Sequence, residues 1–108
     1  MKLIIAYVRP EALQNIKCKL FARDIFSMSI TNVLGAGQQK GYTEVYRGIQ
    51  TEVNLLKKLR IEIGINESRV DEAIEAICEG ARSGNAGDGV VFVVDVAKGL
   101  RIRTGEAL

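Results

Sequence analysis

Apolar residues in the first third of the chain change from strand periodicity to helix periodicity and back. Residues 3–8 are almost continuously apolar and rich in strand-favouring side chains, which predicts a central strand covered on both faces or nearly so. Pro10 suits the first turn of a helix, and apolar residues at helical spacing predict that this helix continues to about Arg23. Apolar and polar positions then alternate in residues 28–34, which predicts a second strand ending just before Gly35.

The second half of the chain predicts two further strands with a helix between them. Residues 59–65 show the clearest alternation of apolar and polar positions and predict a third strand. Asn66 or Ser68 can cap a following helix, whose apolar stripe continues to about Arg82 opposite a row of acidic residues. The run Val-Val-Phe-Val-Val at residues 90–94 predicts a buried fourth strand, and residues 100–103 predict a short edge strand or a turn.

The resulting order, β-α-β-β-α-β, predicts an α+β fold of the ferredoxin-like type, with two helices over one face of an antiparallel sheet. Residues 1–108 contain no repeat or linker, so we expect a single domain. Residues 35–58 separate two strands that would otherwise form a hairpin, and they show no sustained helical or strand period. Because loops of this length are often functional, we interpret this segment as a mobile binding loop in preference to a structural insertion.

Composition narrows the possible functions. A hydrophobic fraction of 47% predicts a folded chain, and a formal charge of +2 is too small for strong non-specific binding to nucleic acid. The chain contains no histidine, which excludes Ser-His-Asp and Cys-His catalysis and any imidazole-based zinc site. Cys18 and Cys78 fall in helical patterns and are predicted to be buried thiols. The first apolar run is too short for a signal sequence or a membrane span, so a cytoplasmic location is expected.

Two features could bind an anion. Gly84, Gly87 and Gly89 precede the fourth strand, where backbone N–H groups can converge on a phosphate, although glycines can equally make a tight turn. Arg101 and Arg103 would project from one face if their segment is extended, or could be solvated edge residues. The sequence around neither feature is a Walker motif or a Rossmann fingerprint.

Three segments, taken in order, resemble the PII family of signal-transduction proteins over essentially the whole chain. Residues 40–48 (KGYTEVYRG) resemble the first signature of that family, in its long T-loop, here about residues 37–57. Residues 83–93 (SGNAGDGVVFV) resemble the second, in the phosphate-binding B-loop, about residues 82–90. The ending RIRTGE at 101–106 resembles the C-loop, about residues 97–108.

The resemblance implies a homotrimer of ferredoxin-like subunits that binds ATP or ADP in clefts between neighbours, with 2-oxoglutarate beside ATP through Mg²⁺. The matching nucleotide-binding positions are Ser29, Gly35, Gly37, Gln38, Gln39, Lys58, Glu62, Ile63, Gly87, Asp88, Gly89, Val90, Arg101 and Arg103. The metabolite would contact Gln39, Lys40, Gly41 and Lys58, and Gln39 would also join the Mg²⁺ shell.

The sequence also departs from the family pattern. The family usually has a basic residue at the position of Val90 and commonly an arginine at Gln38, so two phosphate-facing charges are missing. Thr51 replaces the tyrosine that many members present for nucleotidylylation, and Ile49 replaces the serine phosphorylated in another branch. Thr51 is retained as a candidate target-binding or phosphorylation site. Arg47 matches a residue that some members insert into an ammonium channel, or is a solvated loop arginine.

The function implied is a regulator of nitrogen metabolism and not an enzyme. Its T-loop would control an ammonium transporter or a nitrogen-assimilation enzyme, so contact with a membrane would be indirect. The alternative is a divergent PII-like sensor of another nucleotide or metabolite, for example one linked to inorganic carbon. A slow ATP-cleaving enzyme and an RNA-binding module are less favoured, because no nucleophile and base pair is evident and surface aromatics are few.

Overall fold

The computed structural model describes residues 1–36 and 55–108 in full, and it describes the strand backbone of residues 42–46 and 49–53. The strands are β1 (Lys2–Val8), β2 (Ser29–Gly35), β3 (Tyr42–Tyr46), β4 (Ile49–Val53), β5 (Leu56–Ile65) and β6 (Gly89–Asp95). The helices are α1 (Leu13–Phe21) and α2 (Val70–Ala81), preceded by 3₁₀ turns at Pro10–Ala12 and Glu67–Arg69.

Four strands form one antiparallel sheet in the order β2-β5-β1-β6, and β3 pairs with β4 in a separate two-stranded ladder. In the main sheet Ile4 of β1 lies between Ile63 of β5 and Val93 of β6. This order, with α1 and α2 as the crossover helices, confirms the predicted α+β ferredoxin-like fold.

The core lies between the sheet and the two helices. Alternate residues of β1 and β5 point into it, because successive side chains in a strand face opposite sides. Asn66 caps the 3₁₀ turn Glu67–Arg69 that leads into α2, because its side-chain oxygen accepts a hydrogen bond from the Ser68 N–H at 3.0 Å, as predicted for a capping residue. The fully buried larger side chains are Ile4, Val8, Ile16, Leu20, Ile61, Ile63 and Ile77.

The second face of the sheet is open within the chain, which corrects two predictions. The strand at residues 90–94 was predicted to be buried, yet Val90 and Phe92 are 51% and 54% exposed. Strand β1 was predicted to be covered on both faces, but Leu3, Ile5 and Tyr7 are only partly buried. The reason is that both helices cover the same face, which leaves an apolar surface on the other.

Residues 35–58 contain more regular structure than the sequence pattern indicated. Strands β3 and β4 pair there, and β5 begins at Leu56, three residues before its predicted start. The sequence pattern gave no indication of β3 and β4. Strands of five residues are too short to show a sustained period in the sequence, which explains why the pattern missed them.

The C-terminal segment forms a turn closed by an isolated antiparallel bridge between Leu100 and Ala107, which confirms the turn as one of the two predicted possibilities. Gly105 N–H donates to the Arg101 carbonyl at 2.7 Å, and Arg101 N–H donates to the Glu106 carbonyl at 2.8 Å.

Cys18 is exposed, contrary to its predicted burial, and Cys78 is partly buried. Within the described ranges no helix is both long and apolar enough to span a membrane.

Candidate functional site

A cleft of about 600 Å³ opens where the end of β2, the start of β5 and the loop before β6 meet. Predicted site residues Gly35, Lys58, Gly87, Gly89 and Val90 all line it, so the fold brings together residues that are far apart in sequence. The remaining lining residues are Tyr7, Val33, Leu34, Ala36, Leu56 and Ala86.

Lys58 connects strand β5 to the glycine loop, which we define as residues 83–89. Its ammonium Nζ donates to the Gly87 carbonyl at 3.0 Å and is partly buried at the cleft wall. The adjoining walls of the cleft are apolar. They are formed by Leu34, Leu56 and Val33, which pairs with Lys58 across the β2–β5 ladder. The cleft therefore combines a positive charge and a glycine-rich backbone with an apolar surface, which suits a phosphorylated organic ligand.

Gly89 holds the glycine loop against β1. Its φ is +119°, a backbone conformation that residues other than glycine rarely adopt. A Cβ placed there would lie 1.9 Å from the Tyr7 carbonyl oxygen, far inside van der Waals contact. Glycine is therefore required at this position both by the backbone conformation and by the close approach of β1.

Asp88 uses its carboxylate to close the glycine loop. The carboxylate accepts hydrogen bonds from Ser83 N–H at 2.7 Å, from Gly84 N–H at 2.9 Å and from the Ser83 hydroxyl. Arg9 Nε lies 3.5 Å from Asp88 Oδ1, while Arg9 Nη2 donates to the Ala81 carbonyl at 2.8 Å. If Asp88 takes part in phosphate binding, its backbone N–H is the suitable group, because its side chain is engaged within the loop.

These contacts make loop stability depend on pH. The bonds from Ser83, followed by those from Gly84 and the charge of Arg9, hold the pKa of Asp88 below its ordinary value of 3.8. A lowered folded-state pKa stabilises the fold above the unfolded-state value, and this contribution is lost as the pH falls through the lower folded-state value.

We therefore expect Asp88→Asn to lower the urea midpoint of unfolding at pH 7, with a difference from the unaltered chain that shrinks as the pH falls below about 4. Asp24→Asn, in the exposed turn after α1, is the matched control. A difference between Asp88→Asn and the unaltered chain that stayed constant over this range would contradict the role assigned to the carboxylate.

A second, shallower pocket of about 380 Å³ lies further along the same open face. It contains two more predicted nucleotide-binding residues, Ser29 and Glu62, which are direct partners across the β2–β5 ladder. Glu62 is four residues from Lys58, or about 13 Å along a strand. Between them lies Arg60, whose Nε is 3.0 Å from Glu62 Oε1 and whose guanidinium lies 5.8 Å from the Tyr7 ring centroid.

Other predicted residues lie away from both pockets or outside the description. The Ile63 side chain is buried in the core, which leaves only its backbone for a ligand. Arg101 and Arg103 are exposed in the C-terminal turn and line neither pocket within the chain. Outside the described residues are Gly37, Gln38, Gln39, Lys40, Gly41 and Arg47, and Thr51 lies in β4, whose side chains are not described.

The sequence interpretation missed several residues that the structure adds to the pockets. Tyr7 pairs with Val90 on one side and Arg60 on the other, so it lies on the open face beside the cleft. Phe26 and Met28 line the second pocket. The strand alternation already placed Tyr7 on one face, but the face could be identified only after the register of β1 against β6 was known.

The described side chains include no group of three or more His, Cys, Asp or Glu residues that could hold a metal ion.

Comparisons with known proteins agree with this architecture. The family model described as "Nitrogen regulatory protein P-II" matches residues 1–106. The chain is 43% identical over 106 residues to the nitrogen regulatory protein P-II of Rhizobium etli, covering 98% of this chain and 95% of the relative. It is 44% identical over 107 residues to the nitrogen regulatory protein P-II 2 of Methanothermobacter thermautotrophicus, covering 99% and 93%. It is 38% identical over 107 residues to the Escherichia coli nitrogen regulatory protein GlnK, covering 99% and 96%.

Proposed function

Because the chain belongs to the nitrogen regulatory protein P-II family, we propose that it is a regulator that binds ATP or ADP together with 2-oxoglutarate. The observation that carries this proposal is the cleft that unites Lys58, Gly35 and the glycine loop in one chain. Its apolar walls suit the non-phosphate part of a nucleotide, and its charge and backbone amides suit the phosphates.

The open sheet face supports assembly of three chains. Leu3, Ile5, Phe92 and Val94 form neighbouring cross-strand partners on this face, and an uncovered apolar surface of this kind is typical of a protein interface. In the proposed homotrimer, Arg101 and Arg103 of one subunit reach the cleft of the next. Nucleotide binding would then depend on assembly, since neither subunit alone presents the whole site.

The same site would sense 2-oxoglutarate through Mg²⁺. Gln39 would hold the Mg²⁺ ion through its amide oxygen, and the ion, when bound, would supply positive charge next to the negatively charged oxygens of the ligands. Lys58 would pair with a carboxylate of the metabolite, and Lys40 and Gly41 would lie beside it. Since the nucleotide supplies part of the metal site, the metabolite should bind only after Mg-ATP.

The output of this binding would be a contact with another protein. The segment between β2 and β5, including Arg47 and Thr51, would change its arrangement with the ligand bound at its base. The proposed targets are an ammonium transporter or a nitrogen-assimilation enzyme, in the cytoplasm. No catalytic turnover is required for this role.

Val90 favours a second candidate, a sensor of a different nucleotide or metabolite, for example one linked to inorganic carbon. Its exposed apolar side chain lines the cleft where a basic residue would contact a phosphate. Less charge at this position would weaken the preference for a triphosphate over ligands with fewer phosphates.

Calorimetric titration of 2-oxoglutarate into the chain, with and without Mg-ATP, tests the proposal. We expect heat of binding only with Mg-ATP present, and a trimer mass in sedimentation equilibrium. ADP and AMP serve as comparison ligands. Binding of AMP alone, without any response to 2-oxoglutarate, would support the second candidate, while a monomer that binds no adenine nucleotide would refute both.

A further inference from the structure

Phe26 is an aromatic residue in the second pocket to which the proposed function assigns no role. It lies in the turn between α1 and β2, is 61% exposed, and forms part of the pocket lining. Phe21, which lies outside the pocket, packs against it with ring centroids 5.5 Å apart and planes inclined by 41°. The Phe26 ring is thus supported by a neighbouring ring while most of its surface stays open.

The groups around Phe26 match the parts of a nucleoside. Ser27, Ser29 and Glu62 offer hydroxyl and carboxylate groups for hydrogen bonds, and Phe26 itself offers an apolar ring beside them. A nucleobase is flat, apolar on its faces and polar at its edges, so it requires this combination of an aromatic surface and nearby hydrogen-bonding groups.

The pocket has room for a base because of Gly64. A Cβ added at Gly64 would meet no atom within 4 Å, so the strand leaves open space at this position. The pocket volume of about 380 Å³ exceeds that of a purine ring. Space, an aromatic surface and polar groups therefore occur together at this end of β2 and β5.

We propose that Phe26 stacks on the purine base of a nucleotide whose phosphates are held by the glycine loop of a neighbouring subunit. This inference rests on the proposed function, and it assigns the affinity for the base to a specific side chain. In one chain the Arg60–Glu62 ion pair lies between the second pocket and the cleft. In the proposed trimer, the base and the phosphates are therefore assigned to different chains.

Alanine and tryptophan substitutions test the stacking. We expect Phe26→Ala to weaken ADP binding by about tenfold or more, which is the usual effect of removing an aromatic side chain that stacks on a base. Phe26→Trp should keep ADP affinity within about threefold of the unaltered chain, because it preserves the stacking surface. Sedimentation of each variant checks that assembly is unchanged.

Fluorescence gives a direct second measurement, because the chain contains no tryptophan. ADP should quench the emission of the Phe26→Trp variant strongly and that of the matched control, Phe21→Trp, much less. ADP affinity retained in Phe26→Ala, together with unquenched emission from Phe26→Trp at saturating ADP, would overturn the inference and leave the proposed function intact. If the unaltered chain bound no adenine nucleotide in calorimetry, the proposed function would fail first and the inference with it.

Discussion

Replacing Gly89 by alanine is expected to destabilise the fold by at least about 3 kcal/mol. Two costs add at this position: a φ of +119° that alanine rarely adopts, and a Cβ that would lie 1.9 Å from the Tyr7 carbonyl oxygen. Neither cost can be avoided by side-chain rotation, since a Cβ has no rotamer and the atom it meets belongs to the backbone of β1. The main sheet must therefore separate from the glycine loop or distort.

The measurement is thermal or urea unfolding followed by circular dichroism, at one protein concentration because assembly would shift the midpoint. We expect a fall in Tm of roughly 12 °C or more. Gly84→Ala is the matched control, since φ there is +87° but a Cβ would meet no atom within 4 Å. It should cost only about 1–2 kcal/mol. Equal losses in both variants would show that the contact with Tyr7 is not decisive.

The elements with a strong period were predictable from the sequence. The third predicted strand, which corresponds to the part of β5 from Leu59 to Ile65, alternates strictly because one face meets the helices, and the apolar stripe of α2 identified that helix. The order of these elements then limited the topology to very few possibilities. The fold was thus encoded in local patterns that a single chain satisfies by itself.

The burial of the second sheet face was not predictable in the same way. The run of residues 90–94 is apolar on both sides, which indicated burial on both faces. Within the chain, however, Val90, Phe92 and Val94 are exposed on the open face, and Val93 on the helix side is still 43% exposed because β6 lies at the edge of the sheet. A strand that will be covered by another chain and one covered within its own chain have the same sequence pattern. In the proposed trimer, that apolar run would be buried as its pattern indicates.

The candidate site was predictable only in part, for a related reason. Gly87 and Lys58 meet through a hydrogen bond that depends on the position of β5 beside the glycine loop, and no sequence spacing reports that distance. The resemblance to a family supplied those residues, whereas Tyr7 and Phe26 had no motif to identify them. Arg101 and Arg103 remain candidates because their proposed cleft belongs to another subunit.

Replacing Val90 by lysine is expected to strengthen Mg-ATP binding by about 10- to 100-fold. Val90 lines the cleft beside Gly89 and exposes 51% of its surface there, so a longer cationic side chain has space to reach a phosphate. A charge-assisted hydrogen bond contributes about 1.5–3 kcal/mol, and each 1.4 kcal/mol is a factor of ten in affinity. The gain should increase from AMP to ADP to ATP, since the number of phosphate oxygens within reach increases.

Calorimetry with all three nucleotides measures this gain, and Val90→Met separates the effect of charge from that of length. The methionine variant should bind Mg-ATP within about threefold of the unaltered chain, because it adds reach without a cation. The advantage of the lysine variant should also shrink in high salt, which screens a partly exposed pair. Equal Mg-ATP affinities for Val90→Lys and Val90→Met would show that phosphates do not approach this wall of the cleft, and would favour a ligand with a different arrangement of charge.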